Sequence, residues 1–398
     1  MKKVFTAAIL AVTTCAFIGC TKNEVRSISD NPQAVRFLPL NGKHSTKAMI
    51  DGTTYPTGTP FGTLAYYLPS GKWNANMKDA TLYIPISKVV NKSQPTGGNA
   101  WEVEGKTYYW PKSGSLTFFA YSPYSYAEGG DLAVERLDGN DGIQIVNYDV
   151  DAHQATDFMV ADIAKDRIAY ESNGGYTGVP IVFRHKLSQI VGINFQTVAT
   201  NSESKLVEQH DYANGHSETA GNLEAGDVVF KLKKVEVRNL YTKGDYGYTG
   251  TNANHVAEHW MNQANKKDYT WFDKENDPVA FAGNTTFDLK YNTQKTSNND
   301  YLLVLPQPLI TPGTTTTKKT DPLIHIEYQV LTYSDATNHS TEDVSEDVYL
   351  YDIHNSATAI DMNKKITYNF KINLEDRKIY WAPSVENWDD VSYDDVIK

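Results

Sequence analysis

Apolar residues along the chain fall in short runs separated by clusters of Gly, Pro, Asn and Asp. The runs FGTLAYYLP, ATLYIPIS, KTYYWP, SLTFFAYSP, GIQIVNYDV, VPIVFRHKLSQIVGINFQT, GDVVFKLKKVEVRNLY, YLLVLPQPLI, LIHIEYQVLTY, DVYLYDI and KITYNFKINL are rich in Tyr, Phe, Val, Ile and Thr. Several alternate apolar with polar positions, as a strand does when one face is buried. Short strands at this spacing, with turn residues between them, predict sandwiches or barrels. A first short strand is expected at AVRFLPL, from Ala34 to Leu40. In VVFKLKKVEV the apolar phase slips: Val229, Phe230 and Leu232 give way to Val235 and Val237, which predicts a bulge or turn near Lys233.

Helical patterning is scarce. NANHVAEHWMNQANKK (Asn252 to Lys267) is the best candidate, and ATDFMVADIAKD a fainter one. The low-complexity run Thr311 to Pro322 predicts a loop between two strong strands. No internal repeat is visible. The Gly-rich stretch from Tyr170 to Gly178 predicts a hinge, dividing the body into residues 34–175 and 176–398.

The amino terminus changes the picture. Lys2 and Lys3, an apolar run from Val4 to Ile18 and then Gly19-Cys20 follow the order of a secretory signal. The segment AFIGC resembles the lipobox of bacterial lipoproteins, which implies cleavage between Gly19 and Cys20 and lipidation of Cys20. Residues 1–20 are then a lipoprotein signal peptide, and the polar stretch 21–33 is a tether to the outer membrane. Cys15 leaves with the signal and Cys20 is acylated, so stability must come from apolar burial and strand pairing rather than disulfides. Without Lys2 and Lys3 the chain carries 35 basic and 48 acidic residues, a formal charge of −13, which argues against nucleic acid as a partner.

Taken in order, YYWP…LTFFAYSPY (Tyr108 to Tyr124), TDFMVA (Thr156 to Ala161), VPIVFRHKLSQIVGINF (Val179 to Phe195), YLLVLPQPL (Tyr301 to Leu309) and ITYNFKINL…W (Ile366 to Trp388) resemble the fimbrillin-like family of Bacteroidales. The resemblance implies an all-β protein of two tandem transthyretin-like β-sandwich domains, exported as a lipoprotein to the cell surface. It implies a fimbrial (pilus) subunit or a tip or anchor adhesin, whose partners are other fimbrial subunits and a receptor on a host or bacterial surface. In the family's stalk subunits a trypsin-like protease removes the first strand, and a strand from the next subunit fills the groove. An incoming strand supplies ladder hydrogen bonds and alternate side chains to the exposed edge. Carried onto this chain, the lost strand holds Val35, Phe37, Leu38 and Leu40, and the cut follows Lys47, or less well Lys43 or Arg36. Many family members have Arg where this chain has Lys47, which leaves cleavage by an Arg-specific enzyme in doubt. The segment Tyr380 to Lys398, with Trp381, Val385, Trp388, Val391 and Val396, is either a donor strand or the closing edge of the second sandwich.

Chemistry-bearing patterns are few. His255-Val-Ala-Glu258-His259 has the H-x-x-E-H spacing of inverted zinc proteases, which on a helix would set both imidazoles on one face. No third ligand is identifiable, so a polar surface turn is the expectation, with no metal, cofactor or enzymatic activity. DGNDG (Asp138 to Gly142) and DVDAHQATD (Asp149 to Asp157) lack the spacing of a calcium loop and read as turns. The Tyr66-Tyr67 and Tyr121 to Tyr126 clusters are expected to pack rather than to bind sugar. The competing reading is a surface glycan-binding lipoprotein of a nutrient-uptake system.

Overall fold

The computed structural model describes residues 33–41, 55–95, 97–125, 133–136, 141–154, 156–169, 178–198, 223–249, 258–280, 286–291, 300–373 and 378–387. The first strands are β1 (Phe37–Asn41), β2 (Phe61–Leu68), β3 (Thr81–Ser93), β4 (Asn99–Val103) and β5 (Ser115–Ser122). They are followed by β6 (Ala133–Arg136), β7 (Asp141–Asp149), β8 (Met159–Ala161), β9 (Ala164–Arg167) and β10 (Val179–His185). The second half contains β11 (Ser188–Val198), β12 (Val228–Thr249), β13 (His259–Asp273), β14 (Val279–Ala280) and β15 (Phe287–Leu289). It ends with β16 (Leu302–Val304), β17 (Leu323–Tyr333), β18 (His339–Tyr349), β19 (Lys364–Asn373) and β20 (Lys378–Asn387). Helix among the described residues is limited to single turns at Trp73–Asn76, Met77–Asp79 and Leu350–Ile353. The protein is all-β, as its periodicity predicts.

The first sheet runs β2-β3-β4-β1-β10-β8-β5, and β2 also pairs with β5, so it closes on itself. β9 hangs on β5. Inward positions Phe37, Phe61, Ala65, Ile84, Phe118 and Phe183 form the core within this closed layer. Alternate residues Leu64, Tyr66, Phe119 and Tyr121 point outward and are buried as well. A strand buried on both faces must be apolar at successive positions, which is why SLTFFAYS does not alternate.

The second sandwich sets the layer β15-β11-β19-β20 against β18-β17-β12 with β13 and β14. Ile193 and Phe195 of β11, Leu232 and Val235 of β12, Ile326 of β17 and Tyr368 of β19 share the core between them. The phase slip near Lys233 falls where the β12 ladder to β17 breaks, between Leu232 and Arg238.

Two features join the halves. β7, which lies between β5 and β8 in sequence, pairs with the far half of the 22-residue β12, from Lys243↔Asp149 to Thr249↔Asp141. The outward face of the first sheet shares a core with Tyr148, Tyr246, Trp260 and Leu303. Inside this seam Lys186 Nζ lies 2.8 Å from Glu258, both side chains under 5% exposed. His185 and Asp157 form a second buried pair. The sequence-derived division at 175/176 lies outside the described residues; sheet membership changes between β10 and β11, at Lys186-Leu187.

Both helical expectations are corrected. Within Asn252 to Lys267, the described part from His259 onward is the start of β13, with Asn262 and Asn265 in the left-handed region and the ladder shifting at Asn262-Gln263. A register shift there disturbs the strand period, so apolar positions fall near helical spacing by coincidence. ATDFMVADIAKD contains β8 and most of β9. Met159 and Ala161 face one core and Val160 the other, which erases the alternation.

Candidate functional site

β1 is an inserted strand with unequal sides. It pairs with β10 in parallel register over five residues, Phe37↔Val179 to Asn41↔Phe183, but with β4 only at Phe37↔Trp101. Its approach is tied by Val35 N donating to Tyr108 O (2.8 Å) and Val179 N donating to Arg36 O (2.7 Å). Gly178 is required here: a Cβ on it would sit 2.5 Å from the Phe37 backbone.

Alternate side chains divide their work. Val35 and Phe37 are buried, whereas Leu38 and Leu40 are half-buried on the opposite face. The Phe37 ring packs edge-on against Phe61 (5.8 Å) and Phe118 (5.7 Å). Trp101, Phe183 and Tyr55 continue the aromatic floor. Tyr55 shares a 2.6 Å hydrogen bond with Ser122, and burial holds its phenol far above the ordinary range. Arg36, outside the trough, bonds Glu102 at 3.0 Å and Gln94 at 2.9 Å. Lys43 and Lys47 lie outside the described residues.

The other end of the chain supplies an edge. β20 pairs with β19 over ten residues and is the last strand of its layer. Trp381 stands opposite Phe370 and Val385 opposite Ile366, so they share a face with buried core residues. Yet Trp381 is 41% and Val385 45% exposed, so this stripe is left uncovered by the described chain. Trp388, Val391 and Val396 lie outside the described residues, as does the remainder of the proposed donor segment to Lys398, and so do Gly19 and Cys20.

The remaining motifs are occupied structurally. Glu258 accepts the Tyr246 hydroxyl (2.5 Å) and pairs with Lys186, so it is not poised over water. His255 is outside the described residues, and among the described residues no group of three or more His, Cys, Asp or Glu could hold a metal ion. Asp149 caps the turn at Asp151, Asp151 binds Lys267, and Asp157 binds His185. Tyr66 and Tyr121 are core residues, Tyr67 stacks near Tyr83 and Tyr124 lies under Lys88. Sequence reasoning missed the parallel β1–β10 pairing; its only trace is the unbroken apolar run VPIVF after a glycine.

A family model described as fimbrillin-like matches residues 71–388. No curated protein matches the chain. Among solved structures, a fimbrial protein from Bacteroides vulgatus aligns at 16% identity with a TM-score of 0.54, covering 89% of this chain and 99% of that one. A protein from Bacteroides uniformis proposed to act in cell adhesion aligns at 14% identity and TM-score 0.41, covering 91% and 100%. The C-terminally truncated tip fimbrial protein Mfa3 of Porphyromonas gingivalis aligns at 11% and 0.35, covering 89% and 100%. The first of these likenesses shows a shared β-sandwich fold.

Proposed function

The chain belongs to the fimbrillin-like family, and from that membership we propose that it is a lipid-anchored fimbrial subunit or adhesin joined to its neighbours by strand exchange. Its place of action is a cell-surface appendage and its partners include other fimbrial subunits; its role is structural and adhesive rather than catalytic. The observation that supports exchange is the asymmetry of β1, fully laddered to β10 but touching β4 at one pair. Loss of β1 would expose the β10 edge together with the aromatic trough of Phe61, Phe118 and Trp101. A strand from a second subunit, apolar at alternate positions, would satisfy both. In this reading β20 and the segment after it, with Trp388, Val391 and Val396, are the donor, and the units are residues 34 to about 186 and about 187 to 398.

Strand geometry ranks the cleavage candidates. β1 ends at Asn41, so a cut after Lys43 or Lys47 frees the whole strand. A cut after Arg36 would leave Phe37–Asn41 on β10 and free nothing useful. The test is the amino-terminal mass of protein isolated from cells. An acylated Cys20 is expected for an uncleaved tip or anchor subunit, and a start at Ala48 for a processed one. A non-lipidated chain that keeps residues 21–47 would overturn both forms of the proposal.

A further inference from the structure

A cavity of about 580 Å³ is lined by residues of neither β1 nor β20. Its floor is the start of β13, one wall is the loop after β16 and the other is the loop before β19. The walls are locked together: Leu309 N donates to Thr358 O (2.9 Å), Ile360 N to Gln307 O (2.8 Å), and Pro308 bridges Ala359. Gln307 is itself held by the Tyr241 amide at 2.8 Å, and Asp361 O accepts the Ser188 hydroxyl at 2.6 Å. Three prolines, Pro306, Pro308 and Pro312, line it, and their fixed φ further stiffens it. A pocket rigid before binding loses little entropy on filling.

The lining decides the ligand class. Trp260, the proline rings and Met362 present C–H and ring surface, while Gln263, Thr358, His259 and Asp361 bring amide, hydroxyl, imidazole and carboxylate groups. Neither Lys nor Arg lines the cavity, and Asp361 is the sole acid among the lining residues. Asp361 is exposed, and its carboxylate has no side-chain partner among the described residues. Such a site offers no lysine or arginine to pair with phosphate, sulfate or sialic acid. An apolar wall beside scattered hydrogen-bonding groups instead matches a pyranose, with its C–H face and hydroxyl rim. The volume lies within the ~300–1,000 Å³ of small-molecule sites, room for about two sugar rings.

We propose that this cavity is a binding site for a neutral oligosaccharide, with the Asp361 carboxylate accepting hydrogen bonds from sugar hydroxyls. That such recognition serves adhesion rests on the fimbrial reading, but filling of the pocket does not, so the two fail separately. The test is titration calorimetry on the full chain. The probes are neutral di- and trisaccharides of glucose, galactose, mannose and N-acetylglucosamine, with sialylated and sulfated counterparts and a lysine-rich peptide as controls.

At least one neutral sugar is expected to bind and the anionic ones not to. Asp361→Ala should weaken binding about tenfold, the scale of one charge-assisted hydrogen bond. Ala359→Trp, at an exposed position on the rim, should abolish it while leaving the melting temperature unchanged. If Ala359→Trp does unfold the chain, Thr358→Trp serves in its place. Binding by no neutral sugar, binding that survives the plug, or a pocket that takes the peptide or the anionic glycans instead would each overturn the proposal.

Discussion

Truncating Phe37 to Ala removes a ring that touches both Phe61 and Phe118, and the closed layer around it has little freedom to collapse. The uncleaved chain should lose about 3–5 kcal/mol in urea unfolding, the usual cost of a buried Phe-to-Ala change. Glu258→Gln tests the seam. It removes the carboxylate charge 2.8 Å from the Lys186 ammonium, which is only 3% exposed, and a broken buried pair costs about 3–5 kcal/mol. Lys186→Met in the same chain should recover much of that loss; a double variant as unstable as the single one would show that the pair is not what matters. His354 sets a pH dependence. Burial holds its imidazole below the ordinary value, with Nε2 3.0 Å from the Tyr368 hydroxyl. The unfolded chain therefore takes up the proton first as pH falls below about 6.5. Stability should drop through that window and level off below the folded-state pKa. The urea midpoint should fall less between pH 7 and 5 in His354→Gln than in the parent.

Among whole strands, the contrast lies between two free edges of the second sandwich. β18 is the outer strand of its layer and carries Glu342, Asp343, Glu346 and Asp347 along largely exposed backbone. Like charges along an edge keep other chains from pairing with it. β20, the outer strand of the opposite layer, shows Trp381 and Val385 instead. An edge left apolar beside a guarded one is suited to a subunit contact. Trp381→Ser combined with Val385→Ser should shift monomer stability by less than about 1 kcal/mol, since both side chains are already wet. The same pair of changes should reduce incorporation into fibres seen by electron microscopy, and unchanged incorporation would remove β20 from the interface. The strands were largely legible in sequence where one face is polar, as in LIHIEYQVLTY of β17. They were misread where bulges shift the period, as in β13, or where two cores claim alternate residues, as in β8.

Across the whole molecule, the halves are bound by more than a linker. β12 runs from the core of the second sandwich to the ladder with β7, and the seam core draws on β2, β5 and β8 from one side and β13 and β16 from the other. Calorimetry should therefore show one cooperative transition, with van't Hoff and calorimetric enthalpies agreeing. Two resolved transitions would mean that the seam does not couple the units.

Local pattern alone determined that this chain is a β protein and where most of its strands run; both depend on residue type and a period of two. The order of apolar segments also sufficed for the family resemblance. Pairing partners were decided only in three dimensions. That β1 lies parallel to β10 over Gly178, that β7 leaves its neighbours for β12, and that Glu258 neutralises Lys186 are contacts between residues 70 or more positions apart. The cavity beside Trp260 likewise joins three segments distant in sequence. Short-range periodicity reports which face of a strand is buried, but it carries no information about what that face is buried against.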